Sequence, residues 1–288
     1  MLKSLAGIYL LLAFSVVATN AQTIDDLKKL HIRSIGPAAM SGRITAITTD
    51  PNNPNIIYAG AASGGVWRSK SGGTEWEPIF DKAPTQSIGS IAINPKNPDE
   101  IWVGTGEGNP RNSQNFGAGI FKSIDGGKNW VCMGLEKTRT IHRIIIHHDQ
   151  PEILWAASLG SATGPNDDRG VYKSTDSGKS WRKVLFVNNL TGCAEMVSDP
   201  SNPNKLIAAM WEYQRWPWFF KSGGKGSGLY ISHDGGENWE RRTEKDGLPE
   251  GDLGRLGLAI SHSNPQIVYA LVEAKDNALY KSTDGGFK

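Results

Sequence analysis

Five copies of one short octet limit what this chain can fold into more than any other feature. SKSGGTEW begins at Ser69, SIDGGKNW at Ser123, STDSGKSW at Ser174 and SHDGGENW at Ser232, and a shortened STDGGFK begins at Ser282. The copies lie 54, 51, 58 and 50 residues apart. A steady period of this length marks an architecture in which each repeat is one supersecondary unit that needs its neighbours. A second signal keeps step with the first: DPNNPNIIY (50–58), NPKNPDEIW (94–102), HDQPEILW (148–155), DPSNPNKLI (199–207) and SHSNPQIVY (261–269). Each repeat therefore reads as apolar run, Asn/Pro turn, second apolar run, variable loop, short strand, octet and short strand.

Four short strands per repeat predict an all-β chain, a β-propeller of four-stranded antiparallel blades with the octets as hairpins. In the first repeat the strands are expected at 43–49, 55–61, 65–70 and 75–80. The runs ITAITT, SIAIN, RIIIH and LAIS are nearly continuous β-formers, so they are expected as inner strands buried on both faces. Blades are assigned to 41–83, 84–136, 137–188, 189–246 and an incomplete 247–288, after a lead-in at 22–40. The ring is incomplete within this length, and the remainder of the protein's own chain is expected to close it, because open strand edges invite pairing.

The repetition also decides what the octet aspartates do. Asp125, Asp176, Asp234 and Asp284 recur with the turn, and Ser71 stands in their place in the first copy. A catalytic carboxylate is not needed in every repeat and does not survive exchange for a hydroxyl, whereas a turn hydrogen bond does. Ser71 and these aspartates are read as structural. So are Trp76, Trp130, Trp181 and Trp239, which are expected to pack against the neighbouring blade.

Residues 1–21 read as a signal peptide: a short positive start, an apolar run at 5–18 and Ala21 before Gln22. The run is too short for a membrane span, so no transmembrane segment is expected. The protein is read as exported, whether secreted, periplasmic or at the cell surface. Thirty-one basic against 29 acidic side chains leave a formal charge of +2 and no basic stripe, so nucleic acid is not an implied partner. Cys132 and Cys193 are too few for a metal site or a disulfide scaffold, and two buried thiols are preferred over one disulfide.

S-x-D-G-G-x-x-W resembles the Asp-box, or bacterial neuraminidase repeat, of sialidases, sortilin-type receptor domains and xyloglucan-degrading glycosidases. The resemblance runs from about Ile35 to Lys288. IGPAAMSGRITAI with YAGAASGGVW most resembles the sortilin N-terminal-type domain of large exported bacterial proteins, often labelled glycosyl hydrolases. Where xyloglucan-degrading relatives carry D-I-G-G-x-Y, with a catalytic aspartate, this chain has Ala62-Ser63-Gly64-Gly65-Val66-Trp67. Ala62 thus stands at the carboxylate position, which counts against that activity. Arg33-Ser34-Ile35-Gly36-Pro37 is only loosely like the sialidase Arg-Ile-Pro opening, and nothing completes an arginine triad from Arg43, Arg143 and Arg255.

Binding groups are expected on the face opposite the octets, where the long irregular loops lie. Residues 104–119 offer Glu107 and Arg111, and 158–170 offer Asp168 and Arg169. The stretch 210–228 offers Glu212, Tyr213, Arg215, Trp216 and Trp218. Arg111, Arg169, Tyr213, Arg215, Trp216 and Trp218 are the ligand-binding candidates, with glycan or a protein or peptide as ligand. Glu107, Asp168 and Glu212 are the candidate acids. His147-His148-Asp149 alternates faces along a strand, and Asp167-Asp168 offers too few oxygens for calcium, so no metal and no cofactor are expected. The reading adopted is an exported interaction module of a larger protein, and the balance leans against enzymatic activity without deciding it. The alternative is a glycoside hydrolase, of xyloglucanase type, with part of its site beyond these residues.

Overall fold

A computed structural model describes residues 42–111 and 114–288. The expected signal peptide and the lead-in lie outside the described residues. Residues from Gly42 onward form one unit, built of five antiparallel sheets.

The first sheet contains β1 (Ile44–Asp50), β2 (Asn53–Ala61), β3 (Val66–Ser69) and β4 (Glu77–Pro78), paired in that order. The second contains β5 (Ile88–Asn94), β6 (Asn97–Thr105), β7 (Ile120–Ser123) and β8 (Val131–Cys132). The third contains β9 (Ile141–Ile146), β10 (Leu154–Ser158), β11 (Gly170–Ser174) and β12 (Arg182–Leu185). The fourth contains β13 (Thr191–Asp199), β14 (Asn202–Arg215), β16 (Gly228–Ser232) and β17 (Glu240–Arg242), with β15 (Phe220–Ser222) paired to the far end of β14. The fifth has three strands, β18 (Leu256–Ile260), β19 (Val268–Val272) and β20 (Ala278–Ser282).

The fold class differs from the sequence expectation. The described residues make five separate small sheets in open succession, and no sheet curls or closes, so the chain is not a closed β-propeller. First strands pack in series, β1 on β5, β5 on β9, β9 on β13 and β13 on β18. The expected ring-closing partner is withdrawn with the ring. Burial of the first strands on both faces is uneven: no residue of β5 or β9 is exposed, whereas in β1 Ile44 is 58% and Ile47 71% exposed. Among the described residues β1 is the first of the series and packs on β5.

Apolar cores lie between consecutive sheets. Trp155 is fully buried between the third and fourth with Val171, Met196, Leu206 and Met210. Ile207, Leu229, Ile231, Leu256 and Val268 fill the next interface. Octet glycines make these interfaces close. A Cβ on Gly178 would lie 2.5 Å from the ring of buried Trp102 in the preceding sheet. The Trp155 indole donates to Gly235 O at 3.0 Å across the next interface. Cys193 is buried and its thiol is pushed up by desolvation, whereas Cys132 is exposed at the two-residue edge strand β8 and both thiols are free. The expected pair of buried thiols holds for Cys193 alone.

Inside the octet, bonds run between near neighbours. Asp125 Oδ1 accepts from Ser123 Oγ (2.8 Å), Lys128 N (3.0 Å) and Asn129 N (2.9 Å), and its Oδ2 accepts from Asn129 Nδ2 (2.6 Å). Asp176, Asp234 and Asp284 accept in the same way from Ser174, Ser232 and Ser282 and from the backbone three or four residues on. Ser71 Oγ accepts from Glu75 N at 2.8 Å. Trp130 and Trp181 reach the preceding sheet, donating to Ile79 O (2.7 Å) and Met133 O (2.8 Å), while Trp76 and Trp239 donate to their own octet glycines.

These bonds make the turns acid-sensitive. Asp125 is drawn down to about 2, first by the Asn129 backbone N–H; Asp176 to about 2, first by the Ser180 hydroxyl; and Asp234 to about 2, first by the Asn238 backbone N–H. A carboxyl lowered by folding contributes stability that is complete above about pH 4 and is lost as pH falls through about 2. Thermal unfolding followed from pH 5 to pH 2 is therefore expected to show a falling Tm. A D125N/D176N/D234N triple variant is expected to be less stable at pH 7 and to lose less on acidification. Equal acid loss in parent and variant would assign the dependence to other carboxylates.

Candidate functional site

In each sheet the chain crosses between two ends. The Asn/Pro turns and octets sit at one end, and the second-to-third-strand loops and inter-sheet connections sit at the other. Charged side chains gather at the second end, where first strands begin and second strands finish. Arg43, just before β1, grips Glu107, which follows β6, with Nε at 2.9 Å and Nη2 at 2.5 Å from Oε1. Arg143 of β9 holds Glu195 of β13 through Nε and, at 2.7 Å, through Nη2. Arg255, just before β18, reaches back to Asn109 Oδ1 (3.0 Å) and His142 Nε2 (3.2 Å), and its guanidinium lies 5.2 Å from the Trp211 ring centre.

Since arginine only donates, His142 Nε2 accepts and the ring proton sits on Nδ1. Burial first, then Arg143 and Arg255, hold this imidazole well below its ordinary value, so it stays neutral. Gly108 is required here because a Cβ would strike the His142 ring. The result is a fixed cation facing a pocket of about 220 Å³, lined by Asn109, Pro110, Trp211, Phe220, Ser222, Arg255 and Glu273.

Glu273 is the exposed carboxylate of this pocket. Its Oε2 accepts from Arg255 N (2.8 Å) and Ser222 Oγ (2.6 Å), and Ser222 Oγ in turn accepts from Trp211 Nε1 (3.0 Å). An adjoining depression of about 230 Å³ shares Ser222 and Glu273 and adds Asp252, also exposed. Glu273 thus borders both depressions, the one walled by Trp211 and Phe220 and the one that contains Asp252. A wider groove of about 710 Å³ elsewhere, lined by Ile145, Met196, Val197 and Ile260 among others, contains no carboxylate.

The candidates chosen from sequence are distributed differently. Glu107 is wholly buried in its bond with Arg43 and unavailable to a substrate. Burial works to raise the Glu212 carboxyl, yet bonds from Lys221 Nζ (2.8 Å) and Gly226 N (3.0 Å) outweigh it, leaving a pinned, lowered group. Asp168 stands apart, its carbonyl accepting from Ser158 Oγ at 2.7 Å. Arg169 and Tyr213 are also fully buried, with the guanidinium 4.8 Å from the phenol ring centre, so neither can serve as a ligand contact. Arg111 is exposed beside the pocket-lining Pro110.

The aromatic stretch is a hairpin rather than a loop. β14 runs on to Arg215 and pairs back through Tyr213↔Ser222, Gln214↔Lys221 and Arg215↔Phe220. Trp216 and Phe219 close the turn with mutual backbone bonds, and Trp218 at the tip is 83% exposed.

Sequence reasoning overlooked Glu273, Asn109, His142 and Glu195. A signal for Glu273 existed. It lies five residues beyond Val268, which pairs with the octet Ser282, as Ala62 lies five beyond Ile57, which pairs with the octet Ser69. The backbone agrees: Glu273 N donates to Arg255 O and Ala62 N to Arg43 O. Glu273 thus occupies in the fifth repeat the place that Ala62 occupies in the first.

Residues 64–215 match the family described as Sortilin-Vps10 (sortilin, neurotensin receptor 3), over more than half of the chain. The chain belongs to the Sortilin-Vps10 family. Relatives that match more of this family member are xyloglucanases. One from a Paenibacillus species is 25% identical over 224 residues, covering 70% of the chain and 21% of the relative. An oligoxyloglucan-reducing end-specific xyloglucanase of Emericella nidulans is 24% identical over 249 residues, covering 80% and 28%. Among solved structures, an ancestral GH74 enzyme matches with a TM-score of 0.62 at 24% identity, covering 83% of the chain and 30% of that structure. The GH74 enzyme of Niastella koreensis matches with a TM-score of 0.62 at 20% identity, covering 83% and 36%.

The chain spans between a fifth and a third of the length of these curated relatives. The solved structures establish a GH74-like fold. They correct the Asp-box propeller resemblance drawn from the octet, and the curated relatives show that over most of its length this Sortilin-Vps10 chain is similar to xyloglucanases. The relatives likewise overturn the choice of a non-enzymatic interaction module. Family and relatives together agree with an extracellular or exported protein. Among the described residues no helix is long and apolar enough to cross a membrane, and no cluster of His, Cys, Asp or Glu could hold a metal ion.

Proposed function

We propose that this chain is part of a carbohydrate-active glycoside hydrolase of xyloglucanase type, secreted or held at the cell surface, and that Glu273 is one of its proton-transferring carboxylates. The observation that carries the reading is the place of Glu273. It is an exposed acid over an aromatic-walled pocket, at the repeat position that the first sheet leaves to Ala62. Glycoside hydrolysis takes a pair of carboxylates flanking the scissile bond. Asp252, on the depression shared with Glu273, is the other carboxylate proposed among the described residues. Trp211 and Phe220 supply apolar ring surface for a sugar, Arg255 and Asn109 supply polar groups, and Arg111 on the rim extends the contact to polymer. The five repeats, 41–83 to 247–288, would then serve as the scaffold that brings these groups to one face.

The test is hydrolysis of xyloglucan by the full-length protein, followed by reducing-end release and product sizing. Accumulating reducing ends and shortened products are expected. No release from xyloglucan or from other β-glucans would overturn the reading.

A further inference from the structure

The tip of the hairpin that leaves the fourth sheet, residues 216–219, presents surface for which the proposed hydrolysis has no use. The hairpin's base is built in: Trp211 and Tyr213 are buried and stacked 4.4 Å apart, and Arg215 N donates to Ala162 O of the neighbouring sheet's loop at 2.8 Å. Its tip is not covered. Trp218 is 83% and Phe219 56% exposed, side by side at the turn. A monomer gains nothing from holding such a cluster in water, and a rigid base lowers the ordering cost of binding through it.

We propose that this tip inserts into an anionic phospholipid surface. Two observations favour lipid over a polysaccharide. Sugar stacking wants ring faces laid side by side, but at the tip Trp216 and Phe219 are tilted by 35°. The boundary between headgroups and acyl chains makes no such demand and accepts Trp and Phe at a wedge. Charge agrees. Residues 213–225 contain Arg215, Lys221 and Lys225 and no Asp or Glu. The preceding Glu212 is occupied by Lys221, so the segment stays net positive and complements anionic headgroups.

The proposal stands apart from the hydrolase reading and fails separately from it. Full-length protein is mixed with vesicles of phosphatidylcholine and phosphatidylglycerol, and binding is read by co-sedimentation and by the shift of tryptophan emission. Binding with a blue shift is expected, weakened at least about 10-fold by W218S/F219S and about 2- to 5-fold by K225Q, and reduced by salt. Hydrolysis of soluble xyloglucan is expected to be unchanged in both variants. The tip is solvent-facing, so Tm should match the parent. Lack of sedimentation with the mixed vesicles, or undiminished binding by W218S/F219S, would overturn the proposal. So would emission quenching by xyloglucan that W218S/F219S abolishes in a protein that ignores vesicles, which would assign the tip to polysaccharide.

Discussion

Glu273→Gln in the full-length protein is expected to slow reducing-end release from xyloglucan by about 10²- to 10⁴-fold, the usual contribution of a positioned acid or base. The substitution keeps the shape of the side chain and an oxygen able to accept from Arg255 N and Ser222 Oγ, the two bonds that fix the carboxylate. What it removes is the capacity to take or give a proton. The loss should therefore fall on kcat, with KM nearly constant, because Trp211 and Phe220 still offer their rings. Tm should stay within about 1 °C of the parent, since an exposed side chain that keeps its contacts changes little. Full activity in this variant would remove Glu273 from the chemistry and leave Asp252 as the acid to test. A loss of activity together with Tm would point to a structural role instead.

The largest stability loss is expected at Trp155. This side chain is fully buried between the third and fourth sheets, beside Val171, Met196, Leu206 and Met210, and its indole N–H is bonded to Gly235 O. Truncation to alanine removes the apolar contacts, leaves a cavity between two rigid sheets and strands the Gly235 carbonyl. A loss of about 3–5 kcal/mol follows from large-to-small substitutions of this kind, which at this chain length lowers Tm by roughly 6–20 °C. Trp218→Ala is the control: the same residue type at an exposed tip should change stability by less than about 0.5 kcal/mol. Equal losses at the two positions would contradict the burial described for Trp155.

The correction at Glu273 shows how a single sequence can carry a signal and hide it. Ala62 is conspicuous because the motif around it leaves a carboxylate out, and that omission argued against hydrolysis. The acid proposed above lies in another repeat, and only the strand register reveals that Glu273 and Ala62 hold equivalent places. Glu107 and Glu212 were attractive as acids on irregular loops. Their fate depends on Arg43 and Lys221, the first 64 residues away in sequence, and both acids end as buried or pinned partners. Arg169 and Tyr213 failed as ligand contacts for the same reason: a residue's position on a loop does not reveal what lies over it.

The aromatic stretch failed in another way. Pro217 and the crowded rings break the two-residue alternation, so 210–228 reads as loop. The cross-strand pairing of Tyr213 with Ser222 forms because β14, at 14 residues, outruns the sheet beneath it. The fold class was misjudged at the level of closure: the octet period predicts a repeating four-stranded unit, but whether such units close a ring depends on the angle between them, which no octet encodes.

What the sequence determined by itself is local. The octet and the Asn/Pro turns close through bonds that span two to four residues, such as Ser123 to Asp125 and Asp50 to Asn52, so their residues and spacing suffice to specify them. The strands between them follow from β-branched and aromatic runs bounded by those turns. Tertiary structure alone decided which charges stay exposed, because Arg255, Asn109, His142 and Glu273 come from three sheets and meet only when those sheets pack. Burial and pairing are properties of neighbours far away in the chain, and they separate an acid that can do chemistry from one that only holds the scaffold.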